Sequence, residues 1–128
     1  MSEPLIFYPD VEALVRSRLS SHSMLSGVAV SIQVPSPRPV EFVRIERVGG
    51  VRETLITEAA TLVVEGWHAT DSVRAVALTN LAAAILSAEG TAELLPAVEI
   101  GGLVELQDPT GSMRRRSRTL VVRARMTH

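Results

Sequence analysis

At 128 residues, with 46% apolar and 21% charged side chains, the chain is long enough for one packed domain and short for two. It has no cysteine, which excludes a disulfide framework, a thiolate metal site and a cysteine nucleophile. A formal net charge of −1 argues against a basic nucleic-acid coat or a membrane-surface protein, yet all thirteen basic residues are arginine and six fall between Arg114 and Arg125.

The opening Met1-Ser2-Glu3-Pro4-Leu5-Ile6-Phe7-Tyr8-Pro9 lacks the basic flank and apolar length of a signal peptide, and no stretch reaches the ~18 apolar residues of a membrane span. The expectation is a chain made and kept in the cytoplasm, or assembled there into something larger, without a membrane partner. Asp10 then precedes Val11, Leu14, Val15 and Leu19 at helical spacing, and its carboxylate suits the orphan amides of a first turn. Glu12 and Arg16 are placed for an i,i+4 pair on the outer side. Val28, Val30, Ile32 and Val34 alternate with small or polar residues, the period of a half-buried strand. Pro35, Pro37 and Pro39 end it and make a stiff connection or an edge crossing.

A second strand runs from Glu41 to Val48 and should stop at Gly49-Gly50. The chain extends again from Thr54 to Trp67, with a bend or bulge expected near Glu58 to Ala60. Asp71 or Thr70 caps a second helix whose stripe is Leu78, Leu81, Ala82 and Ile85, with Gly90 expected in the left-handed closing position. Ala97 to Ile100, Gly101-Gly102, Leu103 to Leu106 and a polar turn from Gln107 to Arg116 lead to a last strand in which Leu120, Val122, Ala124 and Met126 alternate. Helix, three strands, helix and two strands read as an α+β fold: a mostly antiparallel sheet of about five strands with two helices packed on one face, a single domain over 1–128.

Candidate chemistry is sparse. His68 lies between Glu65 and Asp71, but a strand followed by a hinge does not project those three side chains to one metal, and a solvated hinge histidine is the simpler reading. No serine sits in a Gly-x-Ser-x-Gly elbow, and neither glycine pair fits a phosphate cradle, so no catalytic residue, metal or cofactor is assigned and no enzyme is expected. Arg114-Arg115-Arg116-Ser117-Arg118 is the sharpest local feature. It reads as a hairpin tip that docks on acidic residues of another subunit, as a plain solvated loop, or as a phosphate contact; with 3% aromatic residues there is no stacking platform for single strands. Trp67 is expected to pack in the core against the second helix, with an interface anchor as the other reading.

Three blocks share order and spacing with one family. They are Pro9-Asp10-Val11-Glu12-Ala13-Leu14-Val15; Pro39-Val40-Glu41-Phe42-Val43-Arg44-Ile45-Glu46-Arg47-Val48-Gly49-Gly50; and Leu62-Val63-Val64-Glu65-Gly66-Trp67-His68-Ala69-Thr70. With the alanine-rich helix and a late Asp108-Pro109-Thr110-Gly111 turn, the chain resembles the tail terminator proteins of long-tailed bacteriophages. Gly66 and the stretch from Thr54 to Glu58 depart from what is usual there. The resemblance implies a structural virion protein of the head–tail junction, assembled in the host cytoplasm. Such a protein forms a homo-oligomer, a six-membered ring, on the last ring of the tail tube protein, stops its polymerisation and presents a face to the head–tail connector or stopper protein. DNA would pass through the lumen without being read. A head-to-tail adaptor, stopper or other neck protein is the alternative, and a small nucleic-acid-binding module a further one. Candidate subunit or partner contacts are Arg114, Arg115, Arg116 and Arg118, with Arg44, Arg47, Arg52, Glu53 and Glu58. Reversing Arg114, Arg115 and Arg116 to Glu should then abolish attachment and leave the monomer folded.

Overall fold

The computed structural model describes residues 10–52, 57–88 and 90–125. Helix α1 is Val11–Ser20, β1 is Ala29–Ser31, β2 is Glu41–Arg52, β3 is Thr57–His68, α2 is Ser72–Ala88, β4 is Val98–Glu99, β5 is Val104–Leu106 and β6 is Arg114–Arg125, with a single 3-10 turn at Ser23–Leu25. Asp10 caps α1 by accepting from the Ala13 amide at 3.1 Å. Asp71 does the same for α2 through the Arg74 amide at 3.1 Å. No helix among the described residues is long and apolar enough to cross a membrane.

The strands form one six-stranded sheet in the order β1-β2-β3-β6-β4, with β5 also paired to β6. This corrects the expected sheet in two ways: it has six strands, and it is mixed, because β1 runs parallel to β2. The prolines are the physical reason. A parallel neighbour requires a crossover rather than a hairpin, and residues 32–40, with a cis Ser36–Pro37 bond, supply it. The first strand is also shorter than its alternation suggests, since only Ala29–Ser31 pairs, against Phe42, Val43 and Arg44.

Gly49-Gly50 does not end β2. The strand continues to Arg52, and the irregularity expected on β3 lies instead on β2, where the register shifts between Arg47 and Gly49. The three long strands β2, β3 and β6 form the body of the sheet; β3 pairs with β6 in unbroken register from Thr57↔Arg125 to His68↔Arg114. Arg114 to Arg118 is therefore the start of a strand and not a loop tip; the turn lies before it, at 107–113. Gly90 does not take a left-handed conformation. A Cβ there would meet the Leu94 carbonyl oxygen at 2.7 Å, so close approach of the chain explains it.

Because opposed residues share a face and successive ones alternate, the register sorts the side chains. Val43, Ile45, Ala60, Leu62, Val64, Leu120, Val122 and Ala124 form one buried cluster with Val11, Val15 and Leu19 of α1 and Leu78, Ala82, Ile85 and Leu86 of α2. Glu12 and Arg16 do not pair with each other. Glu12 accepts the Arg47 amide at 3.0 Å and Arg16 donates to the Val30 carbonyl at 3.1 Å, so both tie α1 to the sheet. Gly66 sits where α2 crosses β3: its amide donates to Thr79 Oγ1 at 2.9 Å, and Thr79 Oγ1 in turn donates to the Ala75 carbonyl at 2.8 Å.

Candidate interaction surface

The sheet face turned away from Gly66 carries Phe42 and Arg44 from β2, Glu65 and Trp67 from β3, and Arg115 from β6, which the register places side by side. Trp67 is buried, but on this face and not against α2. It stacks on Phe42 with ring centroids 5.1 Å apart, and the guanidinium carbons of Arg115 and Arg38 lie 4.9 and 5.5 Å from its centroid. Two arginines over one indole ring are held by its negative face.

Glu65 is 1% exposed and joins the group. Its Oε1 accepts from Trp67 Nε1 at 3.0 Å and Arg44 Nη1 at 3.3 Å, and its Oε2 accepts from Arg115 Nη2 at 2.6 Å. Arg115 also donates to the Gln107 carbonyl at 3.1 Å, and Arg44 reaches Glu46 at 3.2 Å. The Nε atoms of Arg44 and Arg115 are buried without an acceptor. A carboxylate this deep is tolerable only because two cations and an indole N–H meet it.

Arg38 arrives from the proline crossing and pins the turn before β6. It donates to Asp108 at 2.5 Å and to Thr110 Oγ1, while Asp108 also accepts the amides of Thr110 and Met113, each at 3.2 Å. The Arg38 hydrogen bond holds the Asp108 carboxyl below the ordinary carboxylate range. A depressed folded-state pKa contributes stability that is present above the unfolded value, near ~4, and is lost as pH falls through the folded value. Asp108→Asn is thus expected to cost about 1 kcal/mol at neutral pH, discounted for the part-exposed arginine, and to flatten the acid limb of stability. Urea titrations across a pH series check this; an acid limb identical to that of the unsubstituted chain would contradict it. At the start of β2, beside this group, Arg74 holds Glu41 through bonds of 3.1 and 2.8 Å and lowers its pKa in the same sense.

The arginines singled out in sequence fall into different settings. Arg114 is exposed, and among the described residues it has no ion-pair partner. Arg115 is the Glu65 ligand. Arg116 lies 3.6 Å from Glu105, and Arg118 bonds Asn80 at 2.7 Å and Glu99 at 2.8 Å. Arg44 belongs to the Glu65 group, whereas Arg47 pairs with buried Glu58 at the far end of the sheet. Arg52 ends β2 in register with Glu58, and Glu53 lies outside the described residues. The expectation that 114, 115 and 116 can be reversed together without unfolding is therefore corrected: Arg115 is an internal structural cation, and reversing it sets carboxylate against carboxylate.

In the sequence Glu65 and His68 stand out only as parts of a candidate metal cluster; the ion pairs of Glu65 and the capping role of His68 are not legible there. His68 Nδ1 accepts the amides of Thr70 and Asp71 at 3.1 and 2.8 Å, which fixes the hinge ahead of α2. Among the described residues no group of three or more His, Asp or Glu side chains converges as a metal site. Beside Arg114, a polar cleft of about 310 Å³ opens between 105–108 and 111–116. The geometry provides a buried, charge-paired platform with the exposed Arg114 at its rim. Neither a protein-family model nor a curated protein matches the chain.

Proposed function

We propose that this chain is a tail terminator, a structural virion protein whose copies form a ring at the head-proximal end of the tail tube, stop its polymerisation and join it to the head connector. The observation that carries the reading is that its two richest blocks of resemblance, Pro39 to Gly50 and Leu62 to Thr70, come together as neighbouring strands, with Glu41↔His68 and Phe42↔Trp67 in register. A single module thus unites segments that are separate in sequence. Such a part must be stiff and have distinct faces rather than a reaction centre. Two helices covering one face of the sheet, with the Trp67 platform on the other, suit that task.

On this reading the basic rim meets an acidic surface of tube or connector, and DNA passes the ring unread. Neutralisation of Arg115, Arg116 and Arg118 within the chain leaves little of the cluster for phosphate and favours this over a nucleic-acid module. Arg114→Glu is expected to leave the unfolding midpoint within ~0.5 kcal/mol of the unsubstituted chain, as for other surface changes. In complementation it should lower the yield of joined particles at least about tenfold, the equivalent of ~1.4 kcal/mol of docking. Normal yield would remove Arg114 from the docking face. The activity itself is read by adding purified chain to polymerising tube protein from the same genome: elongation should halt, and uninterrupted growth would count against termination.

A further inference from the structure

Where β3 leads into α2, three ionisable side chains stand in one row across the sheet. Glu41 of β2, His68 of β3 and Arg114 of β6 are opposite one another in register, and the chain passes from His68 through 69–71 into the helix. The two nitrogens of His68 have different tasks. Nδ1 accepts the amides of Thr70 and Asp71 at 3.1 and 2.8 Å, whereas Nε2 lies 4.0 Å from Glu41 Oε1. A nitrogen that accepts from two N–H groups carries no hydrogen of its own, so the neutral ring holds its proton on Nε2, toward Glu41. A protonated imidazole has two donors and no acceptor. His68 can therefore cap the hinge only while it is neutral.

We infer that His68 is a proton-operated latch on the hinge between β3 and α2: neutral, it holds the Thr70 and Asp71 amides, and on taking a proton it releases them and pairs with Glu41. The charged groups around it act in both directions. Glu41 from β2 and Asp71 from the hinge attract the proton; Arg74 from α2 and Arg114 from β6 oppose it, with Arg116 two positions further along β6. Arg74 binds Glu41 at 3.1 and 2.8 Å, and that hydrogen bond holds the Glu41 carboxyl below the ordinary carboxylate range. Glu41 is thus charged whenever an imidazole titrates. The ring exchanges two backbone bonds for one charge pair, and its side chain, 15% exposed, is within reach of solvent protons. Release is local, because the Ala69 amide stays tied to the Val40 carbonyl at 2.8 Å. It touches α2 through Asp71, whose carboxylate caps the Arg74 amide and whose carbonyl accepts the Ala75 amide at 3.1 Å. Protonation also sets a second positive charge across from Arg114. None of this rests on the assembly reading.

Amide hydrogen exchange followed by NMR tests the latch, with rates corrected for intrinsic exchange. Between about pH 7.5 and 5.5 the Thr70 and Asp71 amides should lose protection about tenfold, as the protonated fraction of an ordinary imidazole rises by that factor. The Ala69 amide should not change. His68→Asn keeps a side-chain oxygen that accepts hinge amides and cannot titrate, so its protection should be flat across the range. His68→Ala should be unprotected at both ends. Nitrogen-15 shifts of the imidazole at about pH 7.5 should show the hydrogen on Nε2. A hydrogen on Nδ1, or unchanged Thr70 and Asp71 protection in the unsubstituted chain, would overturn the latch, and neither measurement needs a variant. The same acid loss in His68→Asn would assign the effect to the carboxylates and overturn it as well.

Discussion

Glu65→Ala is expected to cost roughly 3–5 kcal/mol of folding stability, the range for removing one partner of a buried ion pair. The loss arises from what remains: Arg44 and Arg115, each with a buried Nε that already lacks an acceptor, would lose the carboxylate they share, leaving Arg44 only its contact with the half-exposed Glu46, and Trp67 Nε1 would lose its acceptor. A denaturant midpoint measures the loss directly. Glu65→Gln should lie between, since an amide oxygen keeps one bond but no charge. The cause is separable from lost packing. Combining Glu65→Leu with Arg44→Leu and Arg115→Met, which removes the whole ionic group, should recover most of the stability. A cost below ~1 kcal/mol for Glu65→Ala would mean that water replaces the carboxylate and that the platform is not rigid.

Gly66→Ala is the second large effect. The added methyl would run into the Ala75 carbonyl oxygen and would lie 2.5 Å from Thr79 Oγ1 and 2.8 Å from the Thr79 amide. Two of the three obstacles are helix backbone, so α2 as a whole must move off β3, breaking the Gly66 amide's bond to Thr79. The expected cost is at or above the upper end of the roughly 1–3 kcal/mol that overpacking brings. Ala82→Gly, lower on the same helix, serves as a control for helix propensity alone, worth about 1 kcal/mol plus a small cavity. Equal midpoints for Gly66→Ala and the unsubstituted chain would show that the helix can ride higher without loss.

Much of the fold is legible in the sequence because its signals are local. Asp10 and Asp71 cap helices where capping chemistry places them. The apolar stripes of α1 and α2 and the alternation of β6 enter the core as their periods require. The parallel β1 was not legible, because strand alternation carries no direction; the three prolines signalled a crossing but not the side on which the chain would return. The continuation of β2 through Gly49-Gly50 escaped for a related reason, since a glycine pair reads equally as a stop or as a bulge.

The candidate surface was legible only in outline. Arg114 to Arg118 stands out as a run of charge, but on a strand successive residues face opposite ways, which divides the run between Glu65 on one side and Glu105 and Glu99 on the other. The pairing of Glu65 with Arg44 and Arg115 is set by cross-strand register over separations of 21 and 50 residues. Trp67 was identified as buried; that its partners are Phe42 and two arginines follows from the face, which Gly66 settles by claiming the other one for α2.

The most direct measurement of the proposed role is tail length by negative-stain microscopy in lysates of the phage with this gene disrupted. Loss of termination should produce abnormally long, headless tails beside filled, tailless capsids, and the unsubstituted chain supplied in trans should restore uniform length. Tails of normal length would contradict termination: if they failed to join heads the chain would act as an adaptor or stopper, and intact virions would remove it from the neck altogether.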